Sequence, residues 1–297
     1  MSKIPVSAVL IVKNAARELS ACLASVSFCA EMLVVDSGST DATVAIAEAA
    51  GARVIRSHWR GFGAQKQFAV EQAAYDWVLC IDTDERVSDR LRQSLCAVFA
   101  VPKGDFPETD SKLRGVPKGD WLRGVSPAPA PCVPMGTFPA YRYARRNRFM
   151  GRYLRHGEGY PDWVVRCFDR RHARWSDDVV HEKVMVAGDE TNVVGILAGD
   201  LLHDSAESLE NYLAKQNRYS TLAAEAAIAR GKRAHVGNML LSPWVRFIKF
   251  YFLRLGLLDG LPGLVHILIG CGASFAKYIK MVDMQSRGSS DEAEKSK

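Results

Sequence analysis

Three times before residue 90 the chain switches from a short apolar run to a helical repeat, and this alternation constrains the fold more than any other feature. Residues 6–12 (VSAVLIV) form an unbroken, β-branched run of the kind a buried parallel strand carries, and 15–26 then show helical spacing through Leu19, Leu23 and Val26. Residues 32–35 predict a second strand that ends in Asp36-Ser37-Gly38-Ser39-Thr40-Asp41, followed by an Ala-rich helix over 42–50, a stop at Gly51 and a strand over 53–56. A loop over 58–63 then leads to a helix over 64–74 and a strand over 77–81, which runs into Asp82-Thr83-Asp84-Glu85. Repeated β-then-α units predict an α/β fold: a Rossmann-like, mostly parallel sheet with helices on both faces and ligands at the carboxyl ends of the strands.

A chain of 297 residues, 48% of them hydrophobic, can bury a core without staples, so one large α/β domain with a smaller appendage is expected. The seven cysteines are scattered and never spaced C-x-x-C, which argues against a disulfide scaffold or zinc ribbon and fits a reducing cytosol. The first apolar run stops at Lys13-Asn14 with no small-residue cleavage site, so it reads as a strand and not as a signal peptide. A net charge of +6 is compatible with phosphorylated substrates, an anionic membrane or nucleic acid. Nucleic acid drops out because no basic patch is interleaved with aromatics as a recognition motif.

Residues 1–235 are expected to form the catalytic domain. Within it, 101–136 read as a Pro/Gly-rich insertion in which Val-Pro-Lys-Gly-Asp recurs at Val101 and Val116, and Leu-Arg-Gly-Val at Leu113 and Leu122. Strands are predicted over 138–148 and 163–169, and a helix over 209–228. Residues 236–285 read as an amphipathic, membrane-associating helical segment: Trp244, Phe247, Phe250, Tyr251 and Leu255 alternate with Arg246, Lys249 and Arg254. The same pattern also fits a core helix with snorkelling basic stems. The apolar run 261–276, interrupted by Pro262, His266 and glycines, falls short of the ~20 residues a span needs, so attachment is expected to be peripheral. The polar tail 286–297 is expected to be disordered.

Four stretches carry chemistry. Asp82 and Asp84, at the carboxyl end of a buried strand, can share a divalent cation with a diphosphate. In the 36–41 turn, Ser39 or Thr40 can cap the next helix, whereas Asp36 caps nothing and can accept hydrogen bonds from a ribose or base. The loop Trp59-Arg60-Gly61-Phe62-Gly63-Ala64-Gln65-Lys66 brings a lysine into the first turn of a helix, where it can approach a phosphate. Neither a Walker A nor a G-x-G-x-x-G motif is present. Gly157–Asp162 and His181-Glu182-Lys183 supply carboxylates for a general base, while His181 and His203 read equally as satisfied structural histidines.

Together these motifs resemble the family 2 inverting, nucleotide-sugar-dependent glycosyltransferases of GT-A fold, through Val12-Lys13-Asn14, Asp36–Asp41 and Asp82–Glu85. The W-x-G-F-G-x-Q-K loop, Asn147-Arg148-Phe149 with Gly151-Arg152, Tyr160-Pro161-Asp162, Arg166-Cys167-Phe168, Val180-His181-Glu182 and Leu202-His203 extend the likeness to the lipopolysaccharide core enzymes that add β-1,4-glucose to heptose. The resemblance implies transfer of a hexose, glucose first, from a UDP-sugar to an inner-core heptose, at the cytoplasmic face of the inner membrane. Lys13, Asn14, Asp36, Gln65, Lys66 and Asp82 would bind the nucleotide-sugar, and Asp84 with Asp82 would ligate Mg²⁺ or Mn²⁺. Arg148, Arg152, Arg166 and His181 would meet the acceptor. Glu182 would be the base, with Asp162 as runner-up; His-Glu stands where the commoner pattern has Glu-Asp.

Two other readings remain at this stage. Gly199-Asp200 with Asp204 fits the G-D-x-x-x-D of haloacid-dehalogenase-type phosphatases, although Glu85-Arg86 after the D-x-D does not suit them. A non-catalytic scaffold binding membrane or lipid A is the other.

Overall fold

The computed structural model describes residues 3–100, 137–176, 182–187, 194–205 and 208–295. The proposed insertion 101–136 therefore lies outside the described residues, as does His181. The described chain forms two units, one of residues 3–100, 137–147 and 162–204, the other of 148–161 and 205 onward. The expected boundary at 235 thus falls inside the second unit, because the helix preceding it packs on the C-terminal helix.

In the first unit the predicted alternation is present as β1 (Ile4–Val12), α1 (Leu19–Ser25), β2 (Cys29–Asp36), α2 (Thr43–Ala49), β3 (Arg53–Arg56), α3 (Phe62–Glu71) and β4 (Trp77–Cys80). There follow β5 (Glu85–Val87), α4 (Asp89–Ala100), β6 (Ala140–Phe149), whose last two residues pair with β7 (Arg152–Tyr153) in the second unit, β8 (Asp162–Asp169), β9 (Ala173–Trp175), β10 (Val184–Val186) and β11 (Val194–His203). The main sheet runs β3-β2-β1-β4-β8-β6-β11-β5. Strands β3 to β4 are parallel, as expected, but beyond them the sheet is mixed: β8 is antiparallel to both neighbours, and β11 is parallel to β6 and antiparallel to β5.

Alternation along the strands divides the core between the two faces. Leu10, Val34 and Leu79 pack with Leu23 of α1 and Leu91 of α4, while Val9, Leu33 and Val78 pack with Ala69 and Val70 of α3 and with Trp175. In-register pairing of Val12 with Asp36, and of Val9 with Cys80, brings the carboxyl ends of β1, β2 and β4 to one edge.

Two local differences from the sequence reading have physical causes. Helix α1 starts at Leu19 because Asn14 is left-handed (φ 52°) and the amides of Ala15 and Ala16 are claimed by Thr43 and Asp41 side chains. Helix α3 starts at Phe62, directly after Gly61, whose φ of 93° suits a residue without Cβ. Lys66 consequently falls in the second turn, not the first.

The second unit contains α5 (Leu209–Ala229), α6 (Val236–Phe247), a π-helical turn (Ile248–Leu253), a 3₁₀ turn (Gly256–Asp259) and α7 (Gly260–Lys295). Helix α5 packs on α7 through Ala224, Ala227 and Met281. Buried Asp259 accepts hydrogen bonds from the amides of Arg155 (2.9 Å) and His156 (2.8 Å), and Glu158 forms an ion pair with Arg246. Two glycines that interrupt the apolar run serve this packing: a Cβ on Gly270 would lie 2.4 Å from Glu158 Oε2, and one on Gly263 2.6 Å from Asp259 Cβ. Pro262 lies in the first turn of α7, where its missing N–H costs no helical bond. The run therefore does not break as its composition suggested, and residues 256–287 are long and apolar enough to cross a membrane by length and composition. Helical backbone also continues to Lys295, through the tail expected to be disordered. Arg287 and Asp283 at i,i+4 support that extension.

Candidate active site

The edge formed by β1, β2 and β4 gathers most of the predicted donor-site residues. Asp36, at the end of β2, is buried, and its carboxylate accepts from the amides of Gly38 (3.2 Å) and Ser39 (3.1 Å). The expectation that it caps nothing is corrected: Asp36 itself closes the turn, with Gly38 at φ 88°. Ser39 and Thr40 do not cap α2. Ser39 Oγ accepts from the Asn14 amide (2.9 Å) and the Thr40 amide donates to Asn14 Oδ1 (2.8 Å), so Asn14 clamps this loop. Lys13 is exposed beside it. Gln65 is buried and donates to Ser37 Oγ (3.2 Å).

Asp82 follows β4. Its Oδ1 lies 3.1 Å from Lys66 Nζ, and its Oδ2 accepts from Arg166 (2.9 Å). Burial alone would raise this carboxyl, but Arg166 and Lys66 outweigh it and hold Asp82 well below the ordinary aspartate range. Both oxygens are thus engaged by cations, which leaves Asp84 as the more open acid of the pair. The inward aim of Arg166, expected to face an acceptor, comes from a β-bulge. Tyr141 pairs with Cys167 and Arg142 with Val165, so Arg166 is the extra residue of β8, turned toward Asp82 and over the Trp175 ring (5.2 Å).

Asp84 faces His203 at the end of β11, its Oδ2 3.1 Å from Nε2. Asn147 Nδ2 donates to Asp162 Oδ2 (3.3 Å), so Asn147 Oδ1 is left to accept from His203 Nδ1 (2.7 Å). With Nδ1 turned to Asn147, Nε2 faces a carboxylate oxygen, a juxtaposition of two donor atoms that suits a divalent cation taking the place of any proton between them. Among the described residues no three His, Cys, Asp or Glu side chains converge as a metal site, so these two donors would need ligand oxygens to complete one. His203 thus has a partner at each ring nitrogen, Asn147 and Asp84, and sits beside the second acid of the D-x-D.

The two base candidates are held differently. Asp162 accepts from Arg145 Nε (2.9 Å) and Nη2 (2.8 Å) as well as from Asn147. Glu182 precedes β10, where Ser176 and Lys183 close the β9–β10 hairpin through Ser176 N to Lys183 O (2.8 Å), and its Oε1 lies 3.2 Å from Lys66 Nζ.

Glu85 and Arg145 were not singled out as site residues in the sequence. Glu85 is fully buried, accepts from the Asp82 amide (3.0 Å) and lies 3.4 Å from Arg145 and 3.7 Å from Arg166. Burial raises its carboxyl despite Arg166. Arg145 and Asn147 share the β6 face that begins with buried Tyr141 and Tyr143, a period-two signal readable in YRYARRN. Arg148 and Arg152 lie in the second unit; Arg152 donates to the Leu258 carbonyl (3.2 Å) and Arg148 lies 6.0 Å from the Tyr153 ring. The phosphatase reading fails on geometry, since Asp200 pairs with Arg146 and Asp204 with Arg86.

Comparison with known proteins identifies the family. Residues 7–105 match the family described as Glycosyl transferase family 2. The chain is 32% identical over 301 residues to the lipopolysaccharide core biosynthesis glycosyltransferase LpsC of Rhizobium meliloti, covering 98% of each chain. It is 27% identical to an uncharacterized glycosyltransferase of Rickettsia prowazekii, covering 94% of this chain and 87% of that one. Among solved structures, glucosyl-3-phosphoglycerate synthase of Mycobacterium tuberculosis, in complex with Mn²⁺, UDP and glucosyl-3-phosphoglycerate, is 25% identical over 34% of this chain and 41% of that chain, with a TM-score of 0.29. The protein belongs to glycosyltransferase family 2. It is a glycosyltransferase with a mixed α/β sheet and a helical C-terminal segment, which also sets aside the non-catalytic scaffold.

Proposed function

We propose that this glycosyltransferase moves a hexose, with glucose the first candidate, from a UDP-sugar to a heptose of the lipopolysaccharide inner core, with inversion at the anomeric carbon. The observation that carries this reading is the convergence of Lys66, Asp82, Asp84, His203 and Glu182 around the carboxyl end of β4, where an α/β sheet binds phosphorylated ligands. The name of LpsC, similar along nearly the whole chain, supports the lipopolysaccharide core as acceptor.

Asp36, Asn14 and Gln65 would frame the nucleoside pocket with Lys13, and Lys66 would meet the diphosphate. Asp84 and His203 would hold Mg²⁺ or Mn²⁺, with Asp82 keeping Lys66 and Arg166 in place; the cation supplies neutralising charge to the leaving diphosphate. Glu182 takes the proton of the acceptor hydroxyl as that oxygen bonds to the anomeric carbon, and the bond from this carbon to the phosphate oxygen breaks with its electron pair leaving on UDP. Glu182 is favoured over Asp162 because its partner is a single flexible ammonium, whereas Asp162 is held by an Arg145 fork and Asn147. Arg148 and Arg152, with His181, would meet acceptor phosphates.

The second unit fits peripheral attachment to the anionic cytoplasmic leaflet of the inner membrane. No residue of α6 is buried, and Leu241, Trp244 and Val245 are each more than 60% exposed on a helix preceded by Arg230, Lys232 and Arg233. A panel of UDP-sugars with Mg²⁺ or Mn²⁺, with and without truncated lipopolysaccharide acceptor, tests the assignment through UDP release. Acceptor-dependent release from one UDP-hexose is expected, and no release from any UDP-sugar overturns it.

A further inference from the structure

Lys66 lies between two acids that differ in how they are otherwise held. Its side chain is only 8% exposed and its Nζ is 4.8 Å from the centre of the Trp175 ring, 3.1 Å from Asp82 Oδ1 and 3.2 Å from Glu182 Oε1. Asp82 also binds Arg166, so it keeps a counter-charge when Lys66 turns away. Among the described residues, Glu182 has its ion pair with Lys66 alone. An anion that captures the ammonium therefore uncovers Glu182 and leaves Asp82 neutralised. A lysine suits such an exchange, because three donors rotate on a flexible stem and no fork geometry is lost.

Resting on the reading of this site as a nucleotide-sugar transferase, we propose that Lys66 couples donor binding to release of the base: its ammonium restrains the Glu182 carboxylate until the donor diphosphate competes for it. A carboxylate bonded to an ammonium is a poor acceptor for a hydroxyl proton, so the acceptor is activated only beside a bound donor. Lys66 acts here as a positioning residue, and the competition has a thermodynamic signature that needs no turnover. Glu182 and UDP draw on the same ammonium, so removing one strengthens the hold of the other.

The test is a double-mutant cycle on the binding of UDP with Mn²⁺, by calorimetry on the full chain without acceptor. Glu182→Gln is expected to bind UDP about threefold tighter than the wild type, the scale of one partly exposed ion pair. Lys66→Met, which keeps the stem over Trp175, is expected to weaken UDP binding, and in that background Glu182→Gln is expected to change nothing. If Lys66→Met does not fold, Lys66→Gln serves the same corner of the cycle. Unchanged UDP affinity in Glu182→Gln, or the same gain in both backgrounds, overturns the coupling and leaves the transferase reading intact. Failure of the wild type to bind UDP at all overturns the donor reading and the coupling with it.

Discussion

His203 Nε2 faces Asp84 Oδ2 at 3.1 Å, with the other imidazole nitrogen held by Asn147. This pairing joins the end of β11 to the D-x-D after β4 and supplies the two donors proposed for the divalent cation. Asn147→Ala removes the group that orients the ring without removing a donor. It is expected to weaken Mn²⁺ binding in the presence of UDP about tenfold, measured by electron paramagnetic resonance titration of free Mn²⁺, and His203→Ala at least as much. Unchanged Mn²⁺ affinity in both variants contradicts the assignment.

Asp82 and Glu85 act on stability at low pH in opposite senses. Asp82 is held below the ordinary aspartate range, since Arg166 and Lys66 overcome the raising effect of burial. Its stabilisation is thus fully present above the unfolded value of about 3.9 and is lost as pH falls below it. Glu85, raised by burial, works in the opposite sense: its contribution is present at low pH and lost as pH rises through the folded value. In Asp82→Asn, the fall in melting temperature between about pH 4.5 and pH 2.5 is expected to be smaller than in the wild type, and an equal fall contradicts the pairing.

Gly199 marks a second irregular strand. Between Ile196 and Asp200 the β11–β6 register shifts, and Gly199 has a φ of 99° with a would-be Cβ 2.2 Å from the Leu91 amide nitrogen of α4. Gly199→Ala is expected to destabilise the protein by about 3 kcal/mol in urea unfolding, because the neighbour is backbone and cannot swing aside. A loss within experimental error would mean that α4 yields at that contact.

Much of the first unit was legible because its signals are local. Apolar runs placed β1 to β4, and the acids at the strand ends marked the site. The packing of α5 on α7 was not legible in the same way, since whether a helix joins a sheet or another helix depends on tertiary contacts that its own periodicity does not report. Arg166 was assigned to the acceptor because the bulge that turns it toward Asp82 leaves no mark in the sequence, and Asp36 was read as capping nothing because its partners are backbone amides, which side-chain patterns do not report. Glu85 and Arg145 were missed for a related reason: each looks like an exposed charge until β4, β6 and β8 come together.

For the second unit, sedimentation with vesicles containing anionic lipid is the direct measurement. Replacing Leu241 and Trp244 with Glu in the full chain is expected to shift most of the protein to the supernatant while leaving its melting temperature within about a degree, since both side chains are exposed. Full retention on vesicles contradicts attachment through α6.

Glu182 carries the central chemical claim, and one rate tests it most directly. Transfer from the preferred UDP-sugar to truncated lipopolysaccharide acceptor, followed as UDP release by Glu182→Gln, is predicted to fall about a thousandfold while UDP binding is retained. Turnover at the wild-type rate would remove Glu182 as the base and contradict the account.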